Sequence, residues 1–295
     1  MAYWQWGDAI AAHLVVCVHG LSRQGRDFER LANALVERAG YPLRVVAPDV
    51  AGRGRSEWLK DPMGYQLPQY VADMMALLAQ LQRAAPVVTL DWVGTSMGGL
   101  IGMAIAGAPE SKAPVPVAIR HLVLNDVGPV IQWQALQRIG TYLGQTGRFD
   151  SVQQAADAMW SISTSFGPHT PAQWLALSQP MVRSLPEGGW TLHYDPAIAV
   201  PFRSLTEESA ATGEAALWQL YDRIQARTLV LRGAESDLLA RDTALVMTRR
   251  GPRARVVEFE GIGHAPTLIA DDQVEAVASF LLGQSDDEKP DSGAT

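Results

Sequence analysis

Val93-Gly94-Thr95-Ser96-Met97-Gly98-Gly99 lies between an apolar run, Val87 to Val93, and a segment from Met97 to Ile105 with helical apolar spacing. A strand that turns at once into a helix through G-x-S-x-G forces its central serine into strained backbone angles. Residues larger than glycine on either side would collide across the turn. Ser96 is therefore expected to stand exposed at a sheet edge. The Met97 N–H would open the following helix, where unpaired amides and the helix dipole favour negative charge.

Working outward, short apolar runs alternate with helical patterns, which argues for βαβ units in a mostly parallel sheet covered on both faces. The spacing predicts strands at His13 to Val18, Leu43 to Pro48, Val87 to Val93 and Ala118 to Asn125. Helices are predicted at Asp27 to Arg38 and Gln69 to Gln82. After Asp126-Val127-Gly128-Pro129 the alternation stops, and helical patterns carrying Trp133, Trp160, Trp174 and Trp190 run to about Trp218. Strand patterns return at Thr228 to Leu231 and Ala254 to Phe259, with helices around Ala240 to Arg250 and Gln273 to Leu282. Residues 1–128 and 219–283 are thus expected to form one α/β core, interrupted by a helical lid at 129–218. Residues 284–295, polar, acidic and rich in Ser, Asp, Gly and Pro, are expected to be a disordered tail.

A serine hydroxyl is a weak nucleophile until a base takes its proton, and imidazole, titrating near neutrality, suits that task. Of the six histidines, His264 fits best, because it follows the last strand pattern in a loop freed by Gly261 and Gly263. His13 and His121 begin strands and His169 and His193 fall in the lid, positions that suit structural or surface roles. An oxyanion would need a second amide donor from another loop on the same edge. Val18-His19-Gly20-Leu21-Ser22 ends a strand there, making the Leu21 N–H the candidate beside Met97 and leaving His19 to brace the loop. The lone Cys17 reads as a small core residue.

With these landmarks the chain resembles an α/β-hydrolase of the esterase and lactonase type, along nearly its whole length except the lid and tail. The matching stretches are His19-Gly20, Asp49-Val50-Ala51-Gly52-Arg53-Gly54-Arg55-Ser56, the Ser96 elbow, Gly233-Ala234-Glu235-Ser236-Asp237 and Gly261-Ile262-Gly263-His264-Ala265-Pro266. The resemblance implies nucleophile, acid and base in that chain order, which favours Asp237 as the acid that orients His264. Glu235 is a weaker rival in the same loop. Asp126 is the alternative, since some members of the fold carry the acid after the earlier strand. Asp49 and the glycines after it read as loop scaffold. Trp133, Met159, Trp160, Trp190 and His193 are the lid residues expected to line a pocket for a small, largely apolar substrate.

The activity implied by the resemblance is hydrolysis of a carboxylic ester or lactone through an acyl-enzyme, with neither metal nor organic cofactor. A carbon–carbon hydrolase of a dienoate ring-fission product uses the same residue types. Thr95 and Leu21 depart from the Asn and small residue common there, which ranks that activity second. A receptor that keeps the fold without turnover ranks third. Ser96 itself argues against dehalogenase or epoxide hydrolase chemistry, which needs Asp at the elbow.

Composition narrows the partners. A hydrophobic content of 47% with 19% charged residues is that of a globular chain with a sizeable core. A formal charge of -7 without Lys/Arg runs leaves no basic stripe for nucleic acid. No run is long and apolar enough for a membrane span, no secretory signal is legible at the N-terminus, and one cysteine is compatible with a reducing compartment. The expectation is a cytoplasmic protein whose partner is a small-molecule ester or lactone.

Overall fold

The computed structural model describes residues 1–109 and 117–283; the predicted tail, 284–295, lies outside them. Among the described residues the chain forms β1 (Tyr3–Gly7), β2 (His13–Val18), α1 (Glu29–Arg38), β3 (Arg44–Pro48), α2 (Leu67–Ala84), β4 (Thr89–Thr95), α3 (Met97–Ala106) and β5 (Ile119–Asn125). It continues through α4 (Trp133–Tyr142), α5 (Val152–Ser161), α6 (Pro171–Ser178), β6 (Val182–Ser184), β7 (Trp190–Leu192), α7 (Ala199–Arg203) and α8 (Glu207–Tyr221). The chain then returns to the sheet with β8 (Arg227–Gly233), α9 (Arg241–Met247), β9 (Arg255–Phe259) and α10 (Asp271–Leu282).

The main sheet has seven strands in the order β1-β3-β2-β4-β5-β8-β9. All neighbours pair in parallel except β1, which runs antiparallel along β3. Both faces are covered, so strand residues of either parity are apolar. Leu14, Val16 and Val18 pack with Tyr70, Met74 and Leu77 of α2 and Ile101 of α3. Val15 and Cys17, one residue out of phase, pack against Leu31 and Leu35 of α1 and Val274 and Val277 of α10. Burial pushes the Cys17 thiol far up, out of reach of ionisation, in keeping with a core residue.

The predicted strands and sheet-flanking helices are all present, with ends shifted by a few residues. Two features carry no sequence expectation. β1 is short and half-exposed, and as an edge strand it shows no continuous apolar run. β6 and β7 form a small antiparallel hairpin across Leu185 to Gly189, each strand only three residues long.

The stretch between β5 and β8 is mostly helical and has a small core of its own, in which Ala155, Ala156, Met159, Trp174, Leu177 and Met181 cluster. It leaves from the end of β5 and re-enters at β8, which are hydrogen-bonded neighbours. Among the described residues no helix is long and apolar enough to cross a membrane.

Candidate active site

Ser96 links β4 to α3 with φ 51 and ψ -115, a region that non-glycine residues rarely enter. Its neighbours show why the sequence must be glycine there. A Cβ on Gly94 would fall 2.3 Å from the Gly98 backbone, and one on Gly98 would fall 1.9 Å from the Val18 carbonyl oxygen. The turn closes only because β4, α3 and β2 touch backbone to backbone. The Ser96 N–H donates to the Asn125 carbonyl at 3.0 Å, carrying the β4–β5 ladder one residue past the strand.

Across that edge, His264 Nε2 lies 3.0 Å from Ser96 Oγ. Its other nitrogen, Nδ1, lies 2.7 Å from Asp126 Oδ2. A carboxylate only accepts, so the proton sits on Nδ1, and Nε2 is left to accept from the Ser96 hydroxyl. Asp126 is fully buried, while the His264 side chain is 12% exposed. Its carboxylate is held from three sides: Gly233 N–H donates to Oδ1 at 3.0 Å, and Ser236 O–H donates to Oδ2 at 2.6 Å beside the histidine.

The structure does not bring Asp237, the first expectation for the acid, to His264. Asp237 turns outward and binds Arg138 of α4 bidentately, at 2.6 and 2.9 Å. Strand order does not separate the two, because the histidine loop follows β9, which pairs with β8. What separates them is distance along the loop: Asp126 is the first residue past β5 and, at φ 54, turns its carboxylate onto His264 Nδ1, whereas Asp237 lies four residues beyond the end of β8. Ser236 ends that route: its hydroxyl receives the Leu238 and Leu239 N–H groups at 3.2 and 3.1 Å and donates to Asp126. Glu235 is exposed and also lies away from the histidine's hydrogen bonds.

The loop after β2 approaches the serine closely; a Cβ on Gly20 would be 3.7 Å from Ser96 Cβ. Neither the Leu21 nor the Met97 N–H has an acceptor among the described residues, and both residues line the cavities at Ser96. His19, fully buried, braces this loop. Its Nδ1–H donates to the Gly20 carbonyl at 2.7 Å, and its Nε2 accepts from the Val50 N–H at 3.0 Å. Burial lowers its pKa to about 3, so the ring is neutral. Asp49 ties down the next loop, accepting from Gly25 N–H at 2.8 Å and Arg55 N–H at 2.9 Å.

In the sequence Arg53 stands out only as part of a loop motif. Its side chain is fully buried, and among the described residues no carboxylate pairs with it. The guanidinium instead donates to the carbonyls of Leu21 (2.8 Å) and Ala51 (2.7 Å) and to the Tyr70 hydroxyl (3.0 Å). Nη2 also lies 3.9 Å from Met97 Sδ. Leu21 and Met97 are therefore both touched by one buried cation.

Two cavities meet at Ser96, Leu21 and Ile139. One, of about 340 Å³, includes His264, Arg138, Tyr142, Met159, Ile162 and Phe166 in its wall. The other, of about 460 Å³, runs along Met97, Leu100, Val127, Ile131, Phe202 and Leu217.

Of the five lid residues expected to line a pocket, Met159 does so. The other four, contrary to expectation, line neither cavity. Trp160 packs edge-on against Trp174, with ring centres 4.9 Å apart. Trp190 is bridged to Phe149 by paired backbone hydrogen bonds of 2.8 Å. Trp133 begins α4 outside both cavities. His193 faces a separate surface hollow beside Trp58 and Arg183. Helical spacing signals a buried face but not which neighbour covers it.

The sequence profile described as "Alpha/beta hydrolase family" matches residues 15–280. The chain belongs to the alpha/beta hydrolase family. This agrees with the esterase-type resemblance drawn from the motifs. The hydrolase is similar to the 3-hydroxybutyrate-oligomer hydrolase of Cupriavidus necator, 48% identical over 286 residues, which cover 96% of this chain and 93% of the relative. Among solved structures it resembles an alpha/beta hydrolase from Novosphingobium aromaticivorans, with a TM-score of 0.79 and 34% identity over 95% of this chain and 92% of that one. A hydrolase from Rickettsia typhi superposes with a TM-score of 0.82 at 29% identity, covering 96% and 91%.

Proposed function

We propose that this hydrolase cleaves carboxylic esters through an acyl-enzyme, with Ser96 as nucleophile, His264 as base and then acid, and Asp126 as the group that orients and charges the imidazole. The observation that carries this reading is the continuous relay from Ser96 Oγ to His264 Nε2 (3.0 Å) and from His264 Nδ1 to Asp126 Oδ2 (2.7 Å). In the first step Ser96 Oγ attacks the ester carbon while its proton passes to Nε2. The Leu21 and Met97 amides receive the oxyanion, an interaction worth about 3 kcal/mol per donor in comparable sites. His264 then protonates the leaving alcohol, and water, deprotonated by the same ring, releases the acid.

For the substrate, similarity to the Cupriavidus relative supports short esters of hydroxy acids, of which 3-hydroxybutyrate oligomers are the first to test. Residues 129–218 serve as the lid, supplying Arg138, Met159 and Phe202 to the two cavities. A serine-reactive fluorophosphonate should label the wild type and not Ser96→Ala, and the 3-hydroxybutyrate dimer should be hydrolysed by the wild type alone. A folded wild-type protein that takes no label refutes the nucleophile.

A further inference from the structure

The two cavities at Ser96 differ in a way the reaction can use. The one containing His264 also has Arg23 and Arg138 in its wall, and among the described residues no Asp or Glu. The other is lined almost wholly by apolar side chains, with Glu214 its one charged group among the described residues. His264 Nε2 must deliver its proton to the leaving oxygen, so the alcohol half of an ester has to lie on the His264 side of the serine. The acyl half then extends along Met97 and Leu100, beside the Met97 amide that holds the oxyanion.

In an ester between two hydroxy acids, the leaving alcohol is itself a hydroxy acid and carries a carboxylate. Resting on the hydroxy-acid ester reading, we propose that the His264-side cavity is the leaving-group subsite and that Arg138 binds the carboxylate of the departing hydroxy acid. Of the two arginines, Arg23 is committed. It is a largely buried partner of Asp27, bound through Nε and Nη2 at 2.6 and 2.8 Å, with Nη2 also reaching the Leu177 carbonyl. The Arg138 guanidinium has the Tyr142 hydroxyl beside it and holds Asp237 through Nε and Nη2. That pair is about two-fifths exposed on both sides, so the bridge to Asp237 is weak and serves mainly to aim the guanidinium. Tyr142, one turn further along α4, lines the same wall. The acidic residue that chain order offered as catalyst is thereby given a different task, that of positioning the residue that selects the substrate.

The test compares 3-hydroxybutyryl-3-hydroxybutyrate with its carboxamide-capped analogue, the same ester without the charge. The wild type should favour the free acid in kcat/KM by roughly 10- to 100-fold, the range of a charge-assisted hydrogen bond, with most of the difference in KM. Arg138→Gln should bring the two substrates within about threefold of each other by raising KM for the acid, since the charge-assisted bond is gone. Arg138→Lys, which keeps the charge, should retain part of the preference. Arg30→Gln, which removes an exposed arginine paired with Asp271, should keep the wild-type ratio. Equal use of both dimers by the wild type, or an Arg138→Gln enzyme that still prefers the acid, overturns the subsite assignment. If neither dimer is cleaved while p-nitrophenyl butyrate is, the hydroxy-acid reading itself fails and takes this inference with it.

Discussion

Replacing Asp126 by Asn tests the catalytic relay at its least exposed point, and the hydrogen bonds around the carboxylate determine the outcome. Oδ1 receives the Gly233 backbone N–H, which can only donate. The amide oxygen of Asn must therefore take that position. Its NH2 then occupies the position of Oδ2, facing His264 Nδ1 and Ser236 Oγ, now 2.7 and 2.6 Å away. The Ser236 hydroxyl already accepts from the Leu238 and Leu239 N–H groups and loses its acceptor, and the imidazole must abandon the proton on Nδ1 and carry it on Nε2. In that tautomer the ring cannot receive the Ser96 proton, and no carboxylate remains to stabilise imidazolium. The loss should be about 10⁴-fold in kcat, or about 5 kcal/mol of transition-state stabilisation. Asp237→Asn breaks only the half-exposed bridge to Arg138, so its kcat toward an uncharged ester should fall by less than about tenfold. Both variants should be assayed with p-nitrophenyl butyrate and for fluorophosphonate labelling rate, with circular dichroism to verify folding. An Asp126→Asn enzyme retaining a tenth of wild-type kcat, beside a crippled Asp237→Asn, would refute the reasoning.

Two further outcomes are expected. Arg53→Met removes the donor that holds the Leu21 carbonyl and the cation beside Met97. It should lower kcat by roughly 10- to 150-fold through misplaced amides, with a smaller change in KM, and a kcat within twofold of wild type by steady-state assay would show that the loop keeps its own shape. Folding stability should also depend on pH through His19. Its pKa is about 3 in the folded protein and about 6.5 once unfolded, so between these values the unfolded chain binds the extra proton. Stability from this group is intact above about pH 6.5 and declines by up to about 1.4 kcal/mol per unit as pH falls toward 3. Urea denaturation midpoints that stay flat from pH 6.5 to 4.5 would rule this out.

The parts of the fold legible in sequence were those with a one-dimensional signature. β2, β4, β5 and β8 are covered on both faces and therefore appear as runs dense in Val, Leu and Ile, and the elbow at Ser96 announces itself because backbone contact between β2, β4 and α3 admits only glycine at 94 and 98. His264 was legible for a similar reason, as the one histidine in a loop after the final strand. Which carboxylate meets His264 depends instead on how each loop turns in space. Asp126 and Asp237 both follow a strand in the chain, and only the folded loops send the first to His264 and the second to Arg138. The helical stretch between β5 and β8 was legible only in outline. Tryptophans at helical spacing pack on one another, as Trp160 does on Trp174, and the cavity wall is made by less conspicuous residues such as Ile139, Tyr142 and Ile162. Beyond its place in a loop motif Arg53 gave no sign of its burial, since a buried cation satisfied by carbonyls looks in sequence like any surface arginine.

The departure of the chain after β5 and its return at β8 have a mechanical consequence. Asp126 N–H still bonds to the Leu231 carbonyl at 2.8 Å, and Gly233 N–H binds the carboxylate of Asp126, so exit and entry are bolted to each other across one rung of the ladder. The bolt is shared with one point of the intervening stretch, where the Ser165 carbonyl accepts from Gly263 N–H at 2.6 Å and the Ser165 hydroxyl donates to the His264 carbonyl at 3.3 Å. Residues of that stretch away from Ser165 are therefore free to drift generation by generation, while those that hold the histidine loop stay registered to the sheet.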